Sequence, residues 1–271
     1  MIPIRDLNPT TKVPVITLAL IAANVIVFLF WQPTFGTQAE QQLFYFCHAE
    51  IPWETSHQEN LAQGGAEARA ALEADFGPGN AEIIQRAVQQ ECPNKSWLAS
   101  IFVAMFLHGG LLHIGGNMLF LWVFGNNVED RLGYIVYPLF YIMGGLAAAG
   151  LSLAFGPDST IPSLGASGAI GAILGAYLVM FPRARVQTLF FFFFITWFTL
   201  PAYVVLIGWF VLQLISGVGQ LGTHVSGGVA YWAHVGGFGF GALVAWIFYR
   251  PKPTIRPPLY GVPPRPDDSP F

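Results

Sequence analysis

Six stretches of this chain run for about 20 residues or longer without a single Asp, Glu, Lys or Arg: Val13 to Trp31, Leu98 to Gly125, Tyr134 to Phe155, Leu164 to Phe181, Val186 to Val218 and Val229 to Tyr249. A helix needs about 20 apolar residues to cross the hydrocarbon of a bilayer, and backbone groups unpaired there are costly enough that such stretches must be helical. The composition agrees, with 54% hydrophobic and only 10% charged residues and a mean hydropathy of +0.53. Soluble domains carry about a quarter charged residues, so a soluble enzyme, a disordered chain and a nucleic-acid binder are excluded. The fifth stretch is too long for one span and Pro201 divides it. Pro201 to Val218 is therefore expected to be the helix, with Gln187 to Leu200 a lead-in at the membrane surface. The expected fold is all-α, a polytopic membrane protein with a bundle of six transmembrane helices.

Charge orients this bundle. Under six spans one side receives Arg5, Lys12, Arg131, Arg183, Arg185, Arg250, Lys252, Arg256 and Arg265, nine of the 12 basic residues. The other side receives Arg69, Arg86 and Lys95, all in one long loop, so both termini are expected in the cytoplasm. A seventh span at Leu189 to Leu200 would put the C-terminal basic residues outside. Val13 to Trp31 exceeds the apolar core of a secretory signal and no small-residue cleavage site follows, so it reads as a retained first span. The chain thus divides into a cytoplasmic segment 1–12, a membrane domain 13–249 with an outer loop 32–97, and a Pro-rich cytoplasmic tail 250–271 expected to be unstructured.

The outer loop reads as a small helical hairpin, in which AEARAALEAD stops at Gly77-Pro78-Gly79 and Asn80 caps a second helix ending before Pro93. Cys47 and Cys92 flank it. Two cysteines are too few for a disulfide-rich scaffold or a cysteine-ligated zinc site, and no metal or cofactor is expected. Both fall on the expected outer face, which favours a disulfide between them over two unrelated thiols. His48 and His57 are expected at the surface.

Ionisable and strongly polar groups inside a membrane are expensive and mark function. The second stretch holds HGGLLHIGGN, with His108, His113 and Asn117; the fourth opens on GASG, with Ser167; the sixth opens on AHVGG, with His234. Helices 2, 4 and 6 all run inward from the outer face. Ser167 and His234 therefore lie at similar depth, very roughly 5 to 10 Å below the surface at ~1.5 Å of rise per residue, and can meet. Ser167, Gly171 and Gly175 share one face of helix 4, and His234, Gly237 and Gly241 share one face of helix 6. Two such stripes of small residues make a packing seam along which helices approach backbone to backbone.

A serine hydroxyl becomes nucleophilic when a base takes its proton, and histidine is the usual base near neutral pH. Glu129, Asp130 and Asp158 are assigned to connecting loops, leaving a Ser-His dyad without a carboxylate. His113 and Asn117, one turn apart on one face, suit hydrogen-bond donation to a developing oxyanion. His108 is expected either to support them or to sit at the interface. The glycine-rich loop Gly217 to Gly228, beside the end that carries His234, suits a mobile cap over the site.

With these motifs in this order the chain resembles the rhomboid intramembrane serine proteases. HGGLLHIGGN is similar to the family's HxxxxHxxxN segment, GASG to its GxSG motif, AHVGGFGFG to its AHxxGxxxG segment and GNNVEDRLG, with Glu129 and Arg131, to its GxxxExRxG segment. The resemblance implies a bacterial-type six-helix core in the cytoplasmic membrane, a serine endopeptidase that cleaves transmembrane or membrane-adjacent segments of protein substrates, Ser167 as nucleophile and His234 as base. It implies His113, Asn117 and the Ser167 backbone N–H as the oxyanion hole. Two features depart from the pattern. The tyrosine many members carry four residues after the serine is Gly171 here, and the loop Trp-Arg pair is missing.

Two other functions compete with this reading. A proton-coupled transporter would use intramembrane histidines, yet it would also need buried carboxylates and paired broken helices, which these spans lack. A catalytically silent rhomboid-like protein that binds client helices would be expected to have lost Ser167 or His234. The expected partners are transmembrane protein substrates and the lipid bilayer, with no nucleic acid; the sequence does not set an oligomeric state.

Overall fold

The structure, a computed structural model, describes residues 2–191, 195–220 and 231–249. The tail 250–271, Phe192 to Phe194, His224 and most of the expected cap lie outside the described residues. In chain order the elements are β1 (Ile2–Asp6), α1 (Val15–Ile26, continued by a π-helical turn Val27–Trp31), α2 (Gln38–His48), α3 (Pro52–His57), α4 (Gly65–Phe76), α5 (Pro78–Glu91), α6 (Trp97–Ala104), α7 (Leu111–Phe155), α8 (Ser167–Met180), β2 (Arg185–Phe191), β3 (Ile195–Pro201), α9 (Ala202–Gln220) and α10 (Tyr231–Phe248). Three of them, α7, α9 and α10, are long and apolar enough to cross a membrane, and α1 and α8 are shorter apolar helices.

Helix α7 is two limbs, 111–132 and 134–155, broken where Gly133 adopts φ 80 and ψ 169, a conformation that penalises any side chain. Pro138, in the second turn of the second limb, has no N–H to donate to the Tyr134 carbonyl. The GNNVEDRLG segment is therefore helix rather than loop up to this break. Glu129 is buried there and holds the start of α1: its carboxylate accepts hydrogen bonds from the Ile16 N–H (2.9 Å), the Thr17 N–H (2.7 Å) and the Thr17 hydroxyl (2.6 Å). Backbone donors at a helix start have no partner within the helix, and an anion placed on them is favoured by the helix dipole.

Two further expectations are corrected. The stretch Leu98 to Gly125 is not one helix, because α6 ends at Ala104 and the chain turns through His108, Gly109 and Gly110 before α7. The fold is also not all-α. Residues expected as a surface lead-in form β2 and β3, which with β1 make an antiparallel sheet of order β1-β2-β3, in the register Asp6↔Val186, Ile2↔Leu189 and Arg185↔Pro201. Along β2, Val186 and Thr188 are buried while Gln187 and Leu189 are half-buried, the period of two that a strand requires. In sequence that alternation was masked by the apolar run that follows. Asp6 pins the sheet to the bundle, accepting from the Tyr177 hydroxyl and the Asn127 amide, each at 2.6 Å.

The outer loop is more than a hairpin. Helices α2 to α5 enclose their own core of Phe46, Ile51, Trp53, Leu61, Leu72 and Val88, and Cys47 and Cys92, packed against it, are disulfide-bonded. Asn80 does not cap α5: the helix already starts at Pro78, and the Asn80 amide donates back to the Phe76 carbonyl. His48 is half-buried and stacks on Phe44, while His57, exposed as expected, stacks on Trp53. Three residues after each cysteine stand Glu50 and Lys95. Lys95 pairs with Glu54 at 2.6 Å, out of contact with solvent.

Burial pushes the Glu50 carboxyl up to about 7, against the smaller opposing effects of Thr55, Lys95 and Ser163, with Glu54 adding to the rise. A carboxyl that holds its proton more tightly in the folded chain gives stability that is full below about pH 4.5 and is lost as the pH rises through 7. Glu50→Gln should accordingly raise the melting temperature in detergent at pH 8, by an amount equivalent to at most ~3 kcal/mol, and change it little at pH 4. Equal effects at the two pH values would contradict this account.

Candidate active site

Helices α8 and α10 meet along the two small-residue stripes. A Cβ added at Gly237 would overlap the Gly168 carbonyl oxygen, one at Gly241 the Ala172 carbonyl oxygen, and one at Gly175 the Phe238 carbonyl oxygen. At Gly171 it would come within 3.0 Å of the His234 carbonyl oxygen. The two backbones are thus as close as helices can be, and this sets the height and rotation of one against the other. The outcome at their outer ends is a hydrogen bond of 2.7 Å between His234 Nε2 and Ser167 Oγ.

Ser167 is the first residue of α8, where helical N–H groups lack partners and point at the site. The approach to it is fixed from several sides. The Gly165 N–H donates to the Ala104 carbonyl (2.8 Å), and the Ser163 N–H donates to the Glu50 carbonyl (2.7 Å). Thr160 donates through both its N–H and its hydroxyl to Asp75 of the outer unit, each at 2.7 Å. Gly165 has φ 129, and a Cβ there would lie 2.8 Å from His113 Nε2, so only glycine lets the chain pass between His113 and Ser167. A cavity of about 50 Å³ adjoins Ser167, walled by Met105, Gly145 and Ala148 and with Glu50 and Ser163 among its polar lining.

His113 is oriented by the Gly109 N–H, which donates to its Nδ1 at 3.2 Å. One turn further along α7, Asn117 is buried at 8% exposure and its Nδ2 has no hydrogen-bond partner. An unpaired buried amide costs about 1–3 kcal/mol, so its presence in a site asks for a ligand. His108 is fully buried behind His113, ring centroids 5.1 Å apart, and edge-on to Phe28.

The sequence left the support of the imidazole unassigned, and here the structure adds residues that motif reading missed. Gln213 Oε1 lies 2.8 Å from His234 Nδ1, and the Trp209 ring stands 5.8 Å from the imidazole. Both belong to α9 and lie one turn apart. Gly171 leaves no room for a ring on α8, so the imidazole is braced from α9 instead. A signal for Gln213 existed, since it is the one carboxamide in the interior of a mostly apolar helix that ends at Gln220. The helix also runs to Gln220, so Gly217 and Gly219 belong to α9 and not to a loop.

The result is a polytopic helical membrane protein with a serine and a histidine hydrogen-bonded between two of its helices. The Rhomboid domain model matches residues 95–251, more than half of the chain, and the chain belongs to the rhomboid family. It is similar to RHOMBOID-like protein 4 of Arabidopsis thaliana, 35% identical over 56% of this chain and 37% of that protein. It is also similar to Rhomboid protein 1, mitochondrial, of Saccharomyces cerevisiae, 31% identical over 56% of this chain and 42% of that protein. Rhomboid protease GluP of Bacillus subtilis is 38% identical over a shorter stretch, 29% of this chain and 15% of that protein. The chain spans about two fifths of the length of the plant and yeast relatives. It is an integral, multi-pass membrane protein.

The α8–α10 seam yields a paired test. Gly241→Ala must push the helices apart and should cost at least tenfold in any Ser167-dependent activity along with several degrees of melting temperature, whereas Gly239→Ala, whose added Cβ meets nothing within 4 Å, should behave as wild type. Equal behaviour of the two variants would mean that the seam does not set the site.

Proposed function

We propose that this protein is an intramembrane serine endopeptidase that cleaves transmembrane or membrane-adjacent segments of other proteins with the pair Ser167 and His234. The observation that carries the proposal is the 2.7 Å contact between His234 Nε2 and Ser167 Oγ at the start of α8. On this proposal α1, the two limbs of α7, α8, α9 and α10 are six spans, and both termini face the cytoplasm of a cell or the equivalent side of its membrane.

The chemistry follows from the geometry. His234 Nε2 takes the Ser167 proton as Oγ bonds to the substrate carbonyl carbon, and the carbonyl oxygen becomes an oxyanion. The Asn117 amide, His113 and the Ser167 N–H donate to it. The proton on Nε2 then passes to the leaving nitrogen as the C–N bond breaks, giving an acyl-enzyme and a free amine. A water molecule, deprotonated by the same nitrogen, attacks the ester carbon and restores the serine. Hydrolysis at this depth needs a path for water, and the cavity beside Ser167 with its polar lining supplies room for it next to the reacting atoms.

Ser167→Ala should abolish cleavage of a model transmembrane substrate and covalent labelling by a fluorophosphonate, with expression and melting temperature unchanged. Cleavage by Ser167→Ala comparable to that by the wild type would sink the proposal. If Asn117 acts on the oxyanion, Asn117→Ala should lower kcat by about 100- to 1000-fold with little change in KM, because that bond exists chiefly in the transition state. A change confined to KM would make Asn117 a substrate-binding residue.

A further inference from the structure

We infer that Gln213 is a positioning residue for the reaction, fixing the tautomer and the ring angle of His234 by a neutral hydrogen bond where soluble serine hydrolases use a carboxylate. The inference rests on the endopeptidase proposal, since it concerns how the base of that dyad is held.

The argument begins with the two ring nitrogens. To accept the serine proton, Nε2, which faces Ser167 Oγ at 2.7 Å, must be unprotonated, so the single proton of the neutral imidazole resides on Nδ1. An imidazole free on its far side divides its proton between the nitrogens and can rotate. Here Nδ1 faces the carboxamide oxygen Oε1 of Gln213 at 2.8 Å, an acceptor that pairs with Nδ1–H and with no other state of that nitrogen. The Trp209 ring, one turn back on the same helix, packs beside the imidazole with ring centroids 5.8 Å apart and planes tilted by 38°. When Nε2 takes the proton in the reaction, Nδ1–H is still donated to Gln213, and the hydrogen bond strengthens because its donor is now charged.

Three placements make this an assignment to Gln213 in particular. Helix α8 contributes no brace, as Gly171 lies against the His234 backbone. Among the described residues no carboxylate reaches the ring; the one titratable group that acts on it through charge is His113 of α7, and the Ser167, Trp209 and Gln213 side chains that face it from α8 and α9 are uncharged. Glu129, the carboxylate buried on α7, is committed to the start of α1. A full negative charge beside the imidazole would have to be buried in the bundle, at a cost that a neutral carboxamide avoids.

The experiment compares Gln213→Glu, Gln213→Met and wild type in detergent and in liposomes, with melting temperatures to establish folding and a cleavable transmembrane peptide to separate kcat from KM across pH. Gln213→Met keeps the volume and removes the acceptor, and should lower kcat about 10- to 100-fold at every pH, with KM within twofold and the fluorophosphonate labelling rate reduced in parallel. Gln213→Glu restores an acceptor and adds a charge that favours the imidazolium. It should recover most of kcat at alkaline pH while its acid limb moves to higher pH. If both folded variants retain the wild-type kcat and pH profile, or lose rate equally with no movement of the acid limb, Gln213 is only a packing residue and the inference is overturned. Failure of the underlying proposal looks different: wild-type protein would itself neither cleave the peptide nor react at Ser167.

Discussion

The closeness of α8 to α10 is the constraint on which the site depends. A Ser-His contact of 2.7 Å tolerates little error, and side chains interleaved between two helices would leave room for several registers. Backbone against backbone leaves one. With Gly171, Gly175, Gly237 and Gly241 placed so that added Cβ atoms would strike or crowd main-chain atoms of the facing helix, the helices are packed without intervening flexible groups, and dispersion between close-set backbones replaces the hydrophobic drive that lipid removes. The same closeness excludes any bulky side chain from α8 beside the imidazole, and this is why the ring is held from α9.

A second dependence runs from the outer unit to the nucleophile. The residues ahead of Ser167 are irregular backbone, which needs partners, and many of those partners come from the unit folded around Trp53: the Glu50 carbonyl for Ser163, Asp75 for Thr160, and the Ser159 carbonyl accepting from the Trp53 N–H. The disulfide between Cys47 and Cys92 joins the two chain segments that carry Glu50 and Lys95. Its position ties the packing of that unit to the loop that delivers the serine. The unit is thus part of the site's scaffold rather than an ornament on the membrane domain.

On the opposite face, the sheet and the N-terminus do a comparable job. Asp6 receives hydrogen bonds from Tyr177 at the far end of α8 and from Asn127 in the first limb of α7, so the strand that opens the chain is fastened to the helix that carries Ser167. Glu129 fastens the start of α1 to the same limb. Glu129 is buried and Asp6 half-buried, and the cost of each carboxylate is met by several donors.

The apolar runs, the order of the motifs and the helical periodicity of Ser167, Gly171 and Gly175 were legible in the amino-acid sequence, because membrane crossing and close helix packing each demand a composition that shows locally. So were His113, Asn117 and His234, as costly polar groups in apolar surroundings. The break before α7, the strands β2 and β3 and the helical state of Glu129 were not, since an apolar run reads the same whether it bends, pairs as strand or continues as helix, and the choice is made by partners distant in sequence. Gln213 is a polar residue in an apolar run to which no motif gives a role. Its meaning depends on the rotation of α9 about its own axis, which no local pattern fixes and which only packing against α10 decides.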